Sequence, residues 1–153
     1  MALVLHVVGA RPNFVKVAPV MRALAARGVA QRLVHTGQHR GARMSEVFFE
    51  DLGLPPPDVR LGARGRTPAE QTARILIALD RALDALPRPD WVLVPGDVTS
   101  TLAAALAASK RGLPLAHLEA GLRSFDRRMP EELNRTAVDH LADLLLTPSA
   151  DAD

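Results

Sequence analysis

Cysteine and tyrosine are both missing from these 153 residues, and the other aromatics amount to one Trp and four Phe. Without cysteine there is no disulfide, no thiolate nucleophile and no cysteine metal site. With so few rings, a core must be built from Leu, Val, Ile and Ala, which suits helices packed on a parallel sheet. Apolar residues make up 48% of the chain, enough for a sizeable core in a chain the length of one ordinary domain. No basic segment precedes the first apolar run, MALVLHVV, and that run is too short to cross a bilayer. A soluble, cytoplasmic protein with no membrane partner is expected. The net charge is only +2. The positive charge is mostly arginine, scattered and without interleaved aromatics, which argues against a nucleic-acid partner. Arginine suits bidentate phosphate binding, so a phosphorylated small molecule is the better expectation.

The hydrophobic period switches repeatedly between two and three to four residues. Residues 2–8 read as a buried strand. Pro12 opens a helix to about Arg27, with Val15, Ala18, Met21 and Leu24 or Ala25 inward, a bend at Pro19, and Gly28 as its stop. A second strand is expected over 31–35, then a short helix over 45–52 capped by Ser45. A mobile, Pro- and Gly-rich loop follows over 53–67. Thr67 caps a helix over 68–86 whose inner stripe is Ile75, Leu76, Leu79, Leu83 and Leu86. Strands are predicted at 91–94, 114–118 and 144–146, and helices at 99–110 and 130–141. Alternating strands and helices predict an α/β fold, a Rossmann-like doubly wound parallel sheet forming a single domain over 1–153. The tail Thr147-Pro148-Ser149 reads as the start of a further helix, capped by Ser149, as if the chain were cut there.

Ligands of such sheets bind beyond the carboxyl ends of the strands, and four segments fall there. Gly9-Ala10-Arg11-Pro12-Asn13 has a glycine that lets backbone approach a ligand and places Arg11 at a helix N-terminus, where anions are attracted. Lys16 follows one turn on. The GxGxxG fingerprint is absent, so no nicotinamide cofactor is indicated. Thr36-Gly37-Gln38-His39-Arg40 can grip a phosphate or a sugar, or be a polar loop. Asp97, after Pro95-Gly96, is a candidate acid or base, although by position alone an N-cap is the commoner role. Glu119 follows a buried strand, a costly place for a charge without a function. Glu131 and Glu132 open a helix behind Pro130, where Glu131 can pair with Arg135. His117 and Glu119 would point the same way in a strand, but no third ligand has a clear place, so no metal is expected. Carboxylates delivered to one sheet edge beside Arg11 suggest acid–base chemistry next to a bound phosphate.

Taken in order, these segments resemble a known family. Gly9-Ala10-Arg11-Pro12 with Lys16, Thr36-Gly37-Gln38-His39-Arg40, Gly96-Asp97 with Thr99, His117-Leu118-Glu119-Ala120-Gly121-Leu122-Arg123-Ser124, and Pro130-Glu131-Glu132 with Asn134-Arg135 are similar to the N-terminal domain of the non-hydrolysing UDP-N-acetylglucosamine 2-epimerases. The resemblance runs from Leu3 to about Ser149. It implies one half of a GT-B-like two-domain fold, usually homodimeric, with the active site in the interdomain cleft and no cofactor or metal. The implied reaction inverts C2 of UDP-N-acetylglucosamine by eliminating and re-adding UDP. By resemblance, Asp97, Glu119 and Glu131 are the catalytic acids and bases, with the one that takes the C2 proton left open. Arg11 is a diphosphate contact, and Lys16 and Arg135 are further substrate contacts. Gln38 and His39 match residues near a second, regulatory UDP-sugar site. Gly41 and a short loop before Met129 depart from the regulated members.

The resemblance also implies a C-terminal domain that supplies a catalytic histidine and most of the uridine contacts, and this sequence does not contain it. A separate chain completing the cleft is therefore an expected partner. Two other readings stand beside an epimerase half: a non-catalytic UDP-sugar-binding remnant, and half of a hydrolysing epimerase or glycosyltransferase.

Overall fold

The computed structural model describes residues 1–38 and 42–152, without the side chains at 42–45 and 48. Six strands form one sheet: β1 (Leu3–Val8), β2 (Ala30–His35), β3 (Val59–Arg60), β4 (Trp91–Pro95), β5 (Leu115–Leu118) and β6 (Leu144–Leu146). Five helices join them: α1 (Arg11–Ala26), α2 (Ala42–Asp51), α3 (Pro68–Ala85), α4 (Thr99–Lys110) and α5 (Pro130–Leu141). A 3-10 turn over Ala150–Ala152 follows Ser149. The strand order is β3-β2-β1-β4-β5-β6, and each neighbouring pair is parallel. The chain works outward from β1, crosses back to β4 and works outward the other way. The reversal between β1 and β4 opens the crevice in which such sheets hold ligands.

Side chains alternate along β1 between two cores. Val4 and Val8 face Phe14, Val17, Ala18 and Met21 of α1, with Phe49 and Leu54 beside them. Leu5 and Val7 face Leu79 and Leu83 of α3, the alanines of α4 and Val138 of α5. Helix α4 buries Ala103, Ala104, Ala105, Ala107 and Ala108. Methyl side chains let it lie close to the sheet between its two neighbours, over the switch point.

Several expectations are corrected. Val15 is 55% exposed, and the inward face of α1 begins at Phe14. Both helical patterns share Ala18 and Met21, and burial of the larger phenyl ring decides between them. Pro19, where a bend is expected, lies on the exposed side of α1 and does not end the helix. Helix α2 starts at Ala42, so Ser45 sits within it rather than at its cap. Residues 53–67 are not a free loop. They contain β3, which pairs with β2. Beyond that strand, the buried Gln71 fastens the backbone by donating to Ala63 O and accepting from Gly65 N. Thr67 caps α3 as expected, accepting from Glu70 N at 3.1 Å. No helix among the described residues is long and apolar enough to cross a membrane.

Two features of this core generate predictions. A Cβ on Gly9 would lie 2.0 Å from Ser100 Oγ and 2.7 Å from Thr36 Oγ1, so Gly9→Ala must push α4 off the end of β1. The cost is about 1–3 kcal/mol, read as a lower denaturation midpoint at unchanged slope. His6 is fully buried in β1, hydrogen-bonded through Nε2 to Gln31. Burial lowers its pKa from 6.5 to about 4, the Gln31 bond opposing only in part. Below pH 6.5 the unfolded chain binds a proton that the folded chain refuses until about pH 4. Stability is therefore full above that window and falls as the pH drops through it, by up to about 3 kcal/mol. Thermal melts from pH 7 to 4 should show this loss, and His6→Leu should flatten it.

Candidate active site

Because every strand runs the same way, the segments after β1, β2, β4 and β5 meet at one sheet edge. Asn13 organises the crevice between β1 and β4. Its Oδ1 accepts from the N–H groups of Gly9 and Ala10 at 2.9 and 3.1 Å, and its Nδ2 donates to Pro95 O. The glycine at position 9 makes room for Ser100 and Thr36 rather than for a ligand, which corrects its expected role. Ser100 N and Oγ both donate to Gln38 Oε1, so Gln38 ties the end of β2 to the start of α4. His39 and Arg40 lie outside the described residues.

The charged groups at this edge are paired across elements. Lys16 Nζ, from the second turn of α1, lies 2.8 Å from Glu119 Oε2. Gly96 has φ +71°, and a Cβ there would stand 3.1 Å from the same Lys16 Nζ, so the glycine provides both the turn and space for the ammonium. Arg135 Nη2, from α5, lies 2.7 Å from Asp97 Oδ2, and Asn134 Nδ2 donates to Asp97 O at 2.9 Å. Arg135 therefore serves Asp97 and not Glu131. Asp97 is not a cap either: Val98 holds the N-cap position of α4, without a side-chain bond. The side chains of Asp97 and Glu119 are 29% and 30% exposed, while Arg11 and Glu131 are exposed.

Glu119 adopts φ +66°, a left-handed conformation that costs a non-glycine residue about 1–3 kcal/mol and persists only where its surroundings hold it. Its N–H and that of Ala120 both donate to Leu146 O. The twist also ends the strand alternation, so Glu119 does not share a ligand-forming face with His117. The His117 ring is fully buried and occupied at both nitrogens, with Nε2 2.6 Å from Gly96 O and Nδ1 2.5 Å from Asp139 Oδ1. Burial acts to raise the Asp139 pKa, but hydrogen bonds from Arg123, His117 and Gly121 N–H together outweigh it and hold the carboxyl below its ordinary value. Among the described residues no cluster of three or more His, Asp or Glu is placed to hold a metal ion.

Glu132, next to the exposed Glu131, is buried. Its Oε2 accepts from Ser124 N, Ser124 Oγ and Phe125 N at 2.6–2.7 Å. The Ser124 hydroxyl bond above all, opposed by burial and aided by the two N–H groups and the charge on Arg135, holds its pKa below the ordinary value. One carboxylate thus folds the short loop over 121–129 onto α5, with Phe125 at φ +60° and 88% exposed.

A protein-family model described as UDP-N-acetylglucosamine 2-epimerase matches residues 22–153. The chain belongs to this family. It is 48% identical over 147 residues to a Pseudomonas aeruginosa UDP-2,3-diacetamido-2,3-dideoxy-D-glucuronate 2-epimerase, covering 95% of this chain and 41% of that protein. The crystal structure of Methanocaldococcus jannaschii UDP-GlcNAc 2-epimerase in complex with UDP-GlcNAc and UDP superposes with a TM-score of 0.92 at 43% identity, over 99% of this chain and 41% of that one. A Streptomyces glycosyltransferase shares the fold alone, at 19% identity and a TM-score of 0.54 over 76% of this chain and 39% of that one. The chain spans about two fifths of the length of these relatives, as one Rossmann-like half of a GT-B-like fold does.

Sequence reasoning placed Asn13, Arg123 and Glu132 within its candidate segments without giving them individual roles at this edge, and it did not single out Ser100 or Asp139. A histidine inside the apolar strand Leu115–Leu118 was the available signal for a buried partner such as Asp139. No signal told Glu131 from Glu132, because neighbours on a helix point about 100° apart and only packing shows which points inward. Replacing Glu132 with Ala should release the 121–129 loop. Exchange of the Ser124 and Phe125 amide hydrogens should quicken by about tenfold or more, and unchanged protection would refute the anchoring role.

Proposed function

We propose that this chain forms one wall of a UDP-sugar 2-epimerase site, acting as a single domain completed by a second domain or chain. The supporting observation is the pairing at the switch point: two half-exposed carboxylates, Asp97 and Glu119, on adjacent strand ends, each beside its own cation. Glu131 and Arg11 stand exposed at the same edge.

The C2 proton of a 2-acetamido sugar has no adjacent carbonyl to acidify it, so direct removal is too slow. Elimination avoids this. A carboxylate takes the C2 proton, the C1–oxygen bond breaks, UDP departs with its electron pair, and a C1=C2 double bond forms. Re-addition places a proton on the opposite face of C2 as a UDP oxygen re-forms its bond to C1. Two acid–base groups on different sides of the sugar are required, and Asp97, Glu119 and Glu131 are the candidates. Arg11 and Lys16 supply positive charge toward the departing diphosphate, at the helix end where anions are favoured. For the family's UDP-N-acetylglucosamine the product is UDP-N-acetylmannosamine. A second substrate is favoured by the 48% identity to the diacetamidoglucuronate epimerase: the same C2 inversion on a sugar that carries an acetamido group at C3 and a carboxylate at C6.

Each UDP-sugar is incubated in D2O with the chain alone and with a separately made C-terminal domain of a relative, and C2 deuterium is read by NMR. Incorporation in the combined sample, reduced about 10²–10⁴-fold by Asp97→Asn or Glu119→Gln, is expected. No incorporation in any mixture would leave the non-catalytic remnant as the reading.

A further inference from the structure

His117 and Asp139 take no part in the steps above and do not open onto the crevice, their side chains being 0% and 7% exposed. Their bonds nevertheless lead to both candidate carboxylates. Asp139 Oδ1 meets His117 Nδ1, two residues before Glu119, while Oδ2 accepts from Gly121 N at 3.0 Å, two residues after it. One carboxylate thus grips the chain on either side of the left-handed Glu119. On the far side of the ring, Nε2 meets the carbonyl of Gly96, the peptide that leads into Asp97. The other grips on Asp97, Asn134 and Arg135, come from the same helix as Asp139. Arg123 closes the back of the couple, 2.6 Å from Asp139 Oδ2.

We propose that His117 and Asp139 form a positioning couple that locks the Glu119 turn and the Gly96–Asp97 turn in one fixed relation, using α5 as the strut. The couple holds two protons, one in each of its bonds. The Gly96 carbonyl only accepts, so Nε2 carries a hydrogen, and a second hydrogen lies between Nδ1 and the carboxylate. The catalytic consequence rests on the epimerase reading, whereas the structural lock does not.

Asp139→Asn and Asp139→Ala separate geometry from charge. The Asn amide donates to Nδ1 of a singly protonated ring, and its oxygen still accepts from Gly121 and Arg123. Ala removes every grip. In wild-type protein, two slowly exchanging ring protons of His117 should be visible by 1H–15N NMR. In Asp139→Ala the amide signals of Gly96, Asp97 and Glu119–Gly121 should move, and their hydrogen exchange should quicken about tenfold or more, with Asp139→Asn close to wild type. In the assembly that exchanges C2, Asp139→Ala should lower kcat about 100-fold, with KM within about threefold, and Asp139→Asn should keep at least about a third of the rate. A folded Asp139→Ala with unmoved signals overturns the proposal, as does an Asn variant as impaired as Ala or a wild-type ring with a single proton. If Asp139→Ala does not fold, the ring-proton count and the Asn variant decide. If no assembly exchanges C2, the epimerase reading falls, and the NMR measurements still judge the lock.

Discussion

The close seating of α4 on the end of β1 is the contact on which the site edge depends. It requires the bare backbone of Gly9, because Ser100 and Thr36 occupy the volume a side chain would need. Their hydroxyls bond to each other at 2.7 Å, and Gln38 reaches across from β2 to the same serine. Helix α4 follows Asp97 after a single residue, so its seating fixes where that carboxylate stands. The alanines of α4 extend the contact along the sheet, and Asn13 closes it from the other face.

Charge at the edge is arranged in cross-element pairs rather than within helices. Lys16 reaches from α1 to Glu119, and Arg135 from α5 to Asp97. Such half-exposed pairs contribute little to stability. Their effect is positional, since each holds a cation beside a carboxylate at the strand ends. Below them a buried tier holds the backbone: His117 with Asp139, and Glu132 with the 121–129 loop. The upper tier keeps part of its surface open to solvent, while the lower tier holds the turns from within.

Much of the architecture was legible in the chain. The helices at 99–110 and 130–141 and the strand at 144–146 have the boundaries their patterns predict, because Pro130 and the apolar runs are local signals. Thr67 was legible as a cap for the same reason. The inner face of α1 was misread because two periodic patterns overlap at Ala18 and Met21. Strand β3 was missed because two residues carry no period, and it exists only by pairing with β2.

The site divides in the same way. Sequence by itself determined the order of strands and helices, the strand-end positions of Asp97 and Glu119, and the motif set that points to the family, since these depend on neighbours along the chain. Tertiary structure alone decided that Arg135 pairs with Asp97 rather than Glu131, that Glu132 and not Glu131 is buried, and that Asp139 grips both sides of Glu119. Those outcomes depend on which side chains meet across a gap of many residues. Helical spacing makes several local pairings equally available, and only the packing of α5 against the ends of β4 and β5 selects among them.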